Sequence, residues 1–290
     1  MARIAIIGGG SMGEALLAGV LRAGHPVKDL VVSERVADRA EYLSRTYSVR
    51  VASLADAVEN AAFVILAVKP ADAESVVAEI GEAATEADGD SVEQVLVSVL
   101  AGVTTGFYEA RLPAGSPVIR VMPNAPALVG AGISALAAGR FATAAQLSEA
   151  AELFKSVGAV LTVPESQIDA VTAVSGSGPA YFFLFLEALV DAGVASGLTR
   201  AVATDLAVQT LAGSAAMLLR RVEDARADSP AARATRPDTT ATELRALVTS
   251  PGGTTAAGLR ELERGGLRSA VAAAVEAAKN RSEQLGITAE

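Results

Sequence analysis

A glycine-rich segment near the start of the chain is the first candidate ligand site. Gly8, Gly10 and Gly13 fill the fixed places of a G-x-G-x-x-G motif, between an apolar run at 3–7 and a helical pattern. The first glycine of such a motif makes a tight turn, the second lets a pyrophosphate approach the backbone, and the third lets the helix pack on the strand. The helix N-terminus adds amide donors for the phosphates. The motif therefore predicts a dinucleotide site that includes Ser11 and Met12.

The end of the second predicted strand carries opposing signals about which dinucleotide binds. Glu34 lies 21 residues beyond Gly13, and an acidic side chain there accepts ribose hydroxyls and disfavours a 2′-phosphate. Ser33 and Arg35 are residue types that bind a 2′-phosphate. The cofactor is therefore either NAD(H) or NADP(H).

A lysine follows the longest apolar run of the chain, residues 61–68. The run closes with Ala67-Val68-Lys69-Pro70. Because the carboxyl ends of parallel strands face the ligand crevice, we expect Lys69 on the cofactor side. His25 is interpreted as an ordinary surface loop residue. One histidine and no cysteine exclude a multi-histidine metal site and a thiolate nucleophile.

Three further segments are rich in glycine, proline and small hydroxylated residues, namely 120–127, 173–180 and 248–255. In the last, two glycines free the backbone and two threonines can open the following helix, which favours an anion pocket for a small carboxylate. The alternative is an interhelical turn with a capping threonine. The candidate substrate residues are Ser250, Gly252, Gly253, Thr254 and Thr255.

Composition narrows the class of protein. The chain has 290 residues, a net charge of −9, 51% hydrophobic residues and no cysteine. This length corresponds to about two domains. An acidic chain has no general attraction to nucleic acid or anionic lipid, and its longest apolar run, eight residues, is far below the roughly 20 of a membrane helix. We expect a cytoplasmic protein without nucleic-acid or membrane partners.

The chain divides into two halves of different texture. Residues 1–164 alternate β-branched runs with helical stretches, which predicts a parallel sheet covered on both faces. The predicted strands are 3–7, 30–33, 62–68, 95–100, 118–121 and 159–163. Residues 165–290 carry helical patterns instead. The prediction is an α/β nucleotide-binding domain followed by an all-α domain.

Local signals predict four helices in the second half. The first starts near Pro179 and ends at Gly193, and it is apolar nearly all round, so we expect burial on every side. Thr199 caps the second, which buries Val202, Leu206, Leu211, Met217 and Leu218. Thr240 and Glu243 have capping-box spacing for the third, and the fourth spans 267–285 and is closed by Gly286. The apolar surface is extensive enough to predict a subunit interface, and the polar stretch 222–238 is predicted as a mobile connection.

Five segments, taken in order, resemble those of pyrroline-5-carboxylate reductases. They are 8–13, 67–70, 120–127, 173–180 and 247–259, the last with a Ser-Pro-Gly-Gly-Thr-Thr core. The resemblance covers essentially the whole chain. It implies a Rossmann-type domain at 1–164, an all-α dimerisation and substrate-binding domain at 165–290, and a homodimer that assembles typically into a decamer.

The resemblance also implies an activity, the reduction of (S)-1-pyrroline-5-carboxylate to L-proline by NAD(P)H. In the family the position of Thr255 donates to the ring nitrogen, and Ser250 with the backbone around Gly253 and Thr254 holds the carboxylate. Lys69 is expected to tune or position the cofactor. The segment beside the nicotinamide is matched by Met122, Pro123 and Asn124. This chain departs from the family at Ala125, where threonine is more usual, and in the long stretch 222–238.

Two other functions remain open from the sequence. A β-hydroxyacid-type dehydrogenase also follows a glycine-motif domain with helices, but it uses a lysine base on a C-terminal helix. No lysine occurs between Lys155 and Lys279, which counts against this alternative. A non-catalytic dinucleotide sensor would account for residues 8–13 and leave 250–255 without a role.

Overall fold

The computed structural model describes residues 3–86, 93–228 and 240–287. These form two compact units. The first contains the chain as far as Pro179 together with the segment from Val275 onward, and the second contains Ala180–Ala274. The predicted boundary between a dinucleotide-binding domain and a substrate-binding domain, at 164/165, stays a prediction. In the structure, residues 165–179 lie within the first compact unit.

An eight-stranded sheet is the centre of the first unit. Its order is β3-β2-β1-β4-β5-β6-β7-β8, and the strands through β6 are parallel. The order reverses at β1, as in doubly wound nucleotide-binding folds. The strands are β1 Ile4–Ile7, β2 Leu30–Ser33, β3 Arg50–Ala52, β4 Phe63–Leu66, β5 Val95–Ser98, β6 Val118–Met122, β7 Gly132–Ala138 and β8 Gly158–Thr162.

Helices cover both faces of this sheet because its strands are apolar on both sides. Ile4 and Ile6 belong to one buried cluster, while Ala5 and Ile7 belong to the other, as the two-residue period of a strand requires. The first cluster includes residues of α1 and α6, and the second includes residues of α3, α4 and α5. The helices are α1 Ser11–Arg22, α2 Ala37–Tyr47, α3 Leu54–Val58, α4 Ala73–Glu86, α5 Thr105–Glu109, α6 Ala144–Lys155 and α7 Ile168–Val171.

The sheet differs from the prediction at two strands. β3 is only three residues long, and β7 is rich in alanine, so neither carries a strong strand signal. β7 pairs antiparallel with β6, and β8 pairs parallel with β7. The prediction of a fully parallel sheet is therefore wrong at the β6–β7 pair.

The C-terminal helices are longer than the sequence indicates. They are α8 Gly178–Ala195, α9 Arg200–Asp228, α10 Thr240–Leu247, α11 Thr254–Arg264 and α12 Leu267–Ile287. α8 continues through Gly193, because this glycine packs closely on α9: a Cβ there would lie 3.1 Å from the Cβ of Ala203. α12 likewise continues through Gly286, which packs closely on the backbone of Gly102. α9 includes residues 222–228, so that part of the predicted connection is helical, and 229–239 lie outside the described residues.

The apolar side chains of the helical unit are largely uncovered within the chain. On α8, Phe182, Phe183 and Leu184 are 60%, 64% and 68% exposed, so the predicted burial on every side does not occur within one chain. On α9, Val202, Leu206 and Met217 are also exposed. Thr199 does cap α9, accepting from the amide of Val202 at 3.4 Å.

Among the described residues, two helical stretches meet the length and apolarity of a membrane span, judged by those two properties alone. They are Glu165–Ala195 and Arg200–Asp224. The first is interrupted rather than continuous, because a π-helical segment at Thr172–Gly176 separates α7 from α8. Long apolar helices of soluble proteins meet the same criterion, so this finding carries little weight.

Candidate active site

The glycine loop after β1 has a different local geometry at each of its three motif positions. Gly8 has φ +102°, and a Cβ there would lie 2.7 Å from the carbonyl oxygen of Ala67. A Cβ at Gly13 would overlap the carbonyl oxygen of Gly8, whereas no atom lies within 4 Å of a Cβ position at Gly10. Two glycines are therefore required by the fold, and the third leaves open space beside the backbone.

That open space lies at the start of α1, where an anion can bind. Gly10 is the N-cap residue and no side chain caps the helix there. The first-turn amides of an uncapped helix lack intrahelical partners, and the helix dipole makes this end positive. The loop thus fits the pyrophosphate of a dinucleotide on its own geometry.

A cleft of about 440 Å³ extends from this loop along the carboxyl ends of β1, β2 and β4. It brings together most of the predicted cofactor residues, which line it with Ile7 of β1, with Val36 and Arg39, and with three residues from α3, α4 and the turn before α4. The predicted residues in the lining are Gly8, Gly10, Ser33, Glu34, Arg35, Ala67, Val68 and Lys69. Ser11, Met12, Gly13 and Pro70 are not part of this lining and adjoin it in sequence.

Glu34 is held by the backbone at the end of β2. Its Oε2 accepts from the amide of Gly9 at 2.8 Å, and its Oε1 accepts from the amide of Val36 at 2.8 Å. Ser33 beside it is buried. Arg35 has a 65% exposed side chain that pairs with Glu79 at 3.5 Å. The acidic residue is fixed and the neighbouring cation is solvated.

Arg39 is a cleft residue that the sequence analysis missed. Its Nε donates to the carbonyl of Gly9 at 2.6 Å, and its guanidinium forms an ion pair with Glu14 and lies 4.9 Å from the ring centroid of Tyr42. Tyr42 and Tyr47 also donate to Glu14. A basic residue in the first turn of α2 was the available signal, but its partners come from distant parts of the sequence.

Glu14 and Tyr47 titrate away from their ordinary ranges as a result. Burial alone would raise the pKa of Glu14, but the hydrogen bonds from Arg39, Tyr47 and Tyr42 outweigh it and lower that pKa. Burial, together with the hydrogen bond to Glu14, raises the pKa of Tyr47 to about 12. This cluster therefore keeps a charged carboxylate under the glycine loop at neutral pH.

Lys69 and the segment after β6 occupy different environments. Lys69 is exposed and precedes the short turn Pro70–Asp72 at the cleft. Asn124 is used by the backbone, since its Oδ1 accepts from the amide of Ile133 at 2.9 Å. Met122 lies against the π-helical segment, where a Cβ at Gly176 would lie 2.7 Å from its Cε. Pro123 is buried and Ala125 is exposed.

A buried arginine on β6 joins this region to the C-terminal helix. The Arg120 side chain is only 3% exposed and contacts Glu165 and Asp169, each at 3.5 Å. The Ser282 hydroxyl of α12 donates to Asp169 at 2.7 Å, and the amide of Thr105 donates to Glu165 at 2.7 Å. The network fixes the segment that leads into the π-helical residues.

The candidate substrate loop lies in the helical unit, between α10 and α11. Gly252 has φ +71°, and the amide of Gly253 donates to the carbonyl of Ser250 at 3.0 Å, closing a turn. Gly253 is the N-cap of α11 and no side chain caps it. Thr254 and Thr255 are exposed on the first turn. The capping-threonine alternative is therefore wrong for α11, and the uncapped end presents two hydroxyls beside free amides.

The fold and the dinucleotide cleft define the class of protein as a Rossmann-type oxidoreductase. A family model described as "NADP oxidoreductase coenzyme F420-dependent" matches residues 3–102, and one described as "Pyrroline-5-carboxylate reductase dimerisation" matches 165–285. The chain is 68% identical to a pyrroline-5-carboxylate reductase of Mycobacterium tuberculosis, over 100% of this chain and 99% of that protein.

Solved structures agree with these matches along nearly the whole chain. The pyrroline-5-carboxylate reductase of Coxiella burnetii is 34% identical with a TM-score of 0.85, and that of Plasmodium falciparum, solved with NADP bound, is 28% identical with a TM-score of 0.79. Both alignments cover 98% of each chain. The chain belongs to the pyrroline-5-carboxylate reductase family. The predicted resemblance, fold class and NAD(P)H-dependent oxidoreductase class are confirmed, and the dehydrogenase and sensor alternatives are disfavoured.

Proposed function

We propose that this protein reduces (S)-1-pyrroline-5-carboxylate to L-proline with NAD(P)H, the last step of proline biosynthesis. The observation that carries the substrate assignment is the uncapped N-terminus of α11 with two exposed hydroxyls. A small carboxylate fits amide donors and a positive helix end. Family membership supplies the choice of this imino acid among small carboxylates.

The substrate residues divide into two roles. Ser250 and the backbone of Gly252, Gly253 and Thr254 hold the carboxylate. Thr255 donates to the ring nitrogen and orients the C=N bond. The nitrogen takes up a proton and the ring carbon takes up a hydride, so the C=N double bond becomes a C–N single bond and NAD(P)H becomes NAD(P)⁺.

The dinucleotide residues bind and position rather than react. The loop 8–13 holds the pyrophosphate, residues 33–35 face the adenosine ribose, and Lys69 with Ala67 and Val68 lines the cleft toward the nicotinamide, with Pro70 next in the chain. Met122, Pro123 and Asn124 support the nicotinamide side. The nicotinamide, when bound, supplies the hydride. A protonated imine is already electrophilic, so no strong protein acid is needed.

Thr255→Ala tests the mechanism directly. Loss of the hydrogen bond that the Thr255 hydroxyl donates to the unprotonated imine nitrogen lowers kcat roughly ten- to hundredfold, while dinucleotide affinity stays unchanged. Thr255→Ser restores most of the rate. Thr199→Ala, which removes a capping hydroxyl from another helix of the same unit, is the matched control and retains activity. Nucleotide oxidation followed by absorbance with the imino acid is the measurement, and full activity of Thr255→Ala would remove this residue from the mechanism.

The protein is proposed to act as a cytoplasmic homodimer whose dimers assemble into a decamer. The support for the dimer is the exposed apolar surface of α8 and α9, together with the match to a dimerisation model. The decamer rests on the family resemblance. Sedimentation velocity distinguishes two from ten copies, and a monomer at micromolar concentration would refute both.

A further inference from the structure

The adenosine end of the cleft contains a carboxylate that two backbone amides hold in place. Glu34 accepts from the amides of Gly9 and Val36, each at 2.8 Å. If this carboxylate turned away, the partly buried amide of Gly9 would lose its acceptor, at a cost of about 1–3 kcal/mol if it stayed buried, whereas the exposed amide of Val36 could be solvated. Each carboxylate oxygen keeps a further lone pair, which a ribose hydroxyl can use.

The two arginines of the cleft lining are already engaged elsewhere, and the lysine of the lining, Lys69, follows β4 rather than β2. Arg39 is fixed on the carbonyl of Gly9 and neutralised by Glu14. Arg35 is solvated and paired with Glu79, so its attraction for an incoming phosphate is screened by water and salt. Neither arginine balances a second negative group beside Glu34.

We propose that Glu34 makes NADH the preferred cofactor of this protein over NADPH. The proposal rests on the proposed function, because it assumes that a dinucleotide binds in the cleft. A 2′-phosphate adds between one and two negative charges, as phosphate monoesters do near neutral pH. It would also replace a hydroxyl that donates to Glu34 with an acceptor that cannot.

The relative strengths of the opposing groups decide the sign of the preference. The Glu34 carboxylate is already ordered and partly buried, so its repulsion of a phosphate in contact with it is weakly screened and carries no ordering cost. The exposed Arg35 side chain would lose conformational entropy on binding a phosphate, which reduces its net attraction. The signal from Ser33 and Arg35 is therefore the weaker one. We expect a Kd for NADH at least about tenfold below that for NADPH.

Equilibrium binding tests this without turnover. NADH and NADPH are titrated separately into the full-length protein, and the fluorescence of the reduced nicotinamide is followed, since the chain has no tryptophan to interfere. ADP-ribose and its 2′-phosphate, measured by calorimetry, repeat the comparison without the nicotinamide. Glu34→Gln should narrow the NADH preference, mainly by tighter NADPH binding.

Glu41→Gln is the control, and Arg35→Ala tests the opposing signal. Glu41→Gln removes the same charge from an exposed position of α2 that pairs only loosely with Arg45, at 3.8 Å, and should leave the ratio of the two Kd values unchanged. Arg35→Ala should change that ratio little. Equal or tighter NADPH binding by the wild type, an unchanged ratio in Glu34→Gln, or a selective loss of NADPH binding in Arg35→Ala would overturn the proposal. Absence of binding by both dinucleotides would refute the proposed function itself.

Discussion

Gly10→Ala should separate dinucleotide binding from folding. Gly10 has φ −65° and ψ −174°, which alanine adopts readily, and its Cβ would meet no atom within 4 Å. Alanine is a poorer N-cap than glycine, which destabilises the folded protein by about 0.5–1 kcal/mol. Alanine also reduces the conformational entropy of the unfolded chain, which stabilises the folded protein by about 0.4–1 kcal/mol. These terms offset each other, so the free energy of unfolding should change by less than about 1 kcal/mol.

The same methyl group would occupy the space that we assign to the pyrophosphate. Moving the phosphates away from the first-turn amides weakens charge-assisted hydrogen bonds of about 1.5–3 kcal/mol each. The Kd for the preferred dinucleotide should therefore rise roughly ten- to hundredfold. Thermal unfolding measures the first quantity and nicotinamide fluorescence measures the second.

Gly13→Ala is the contrasting variant. Its Cβ would overlap the carbonyl oxygen of Gly8, so α1 must shift, at a cost of about 1–3 kcal/mol or more. Stability and affinity should fall together here. Unchanged affinity of a folded Gly10→Ala protein would refute the assignment of the pyrophosphate to this loop.

Three other perturbations follow from the contacts described. The pKa of Glu14 is lower in the folded protein than its ordinary value of 4.5, so ionised Glu14 stabilises the fold above that value and the stabilisation is lost as the pH falls through the folded pKa. Glu14→Gln should therefore make the free energy of unfolding, measured by urea, depend less on pH on the acid side. Arg120→Met leaves two carboxylates without their cation and should cost about 2–4 kcal/mol, against less than about 0.5 kcal/mol for the exposed Arg140→Met. Phe183→Glu should shift the sedimentation profile toward monomer; unchanged profiles would argue against an α8 interface.

Local chemistry made the nucleotide-binding part of the fold predictable from the sequence. β2 has the predicted bounds, and β1, β4 and β5 lie within the predicted ranges, because each is a short apolar run before a turn. The glycine spacing indicated the loop correctly: the fold requires glycine at positions 8 and 13, and Gly10 leaves open space at the start of α1. β3 and β7 were not predicted, because β3 is short and half-exposed and β7 carries three alanines among its seven residues.

Two glycines were wrongly predicted as helix ends because they serve tertiary packing. Gly193 and Gly286 were expected to end helices, yet each lies within one and permits a close approach by another segment. The conformation of Glu34 was equally inaccessible, because one of its two backbone donors, the amide of Gly9, becomes its neighbour only when the glycine loop has formed beside β2. The roles of the predicted site residues stay predictions until they are tested.

The last helix, α12, belongs partly to each compact unit, which limits how the protein can be cut into fragments that fold. α12 returns to the first unit, where a Cβ at Gly286 would lie 2.8 Å from the carbonyl oxygen of Gly102 and Ser282 reaches Asp169. In chain order the helical unit is an insertion, entered after Pro179 and left before Val275. A fragment cut at Pro179 would lack these contacts. An isolated cofactor module would instead require residue 179 to be spliced to residue 275.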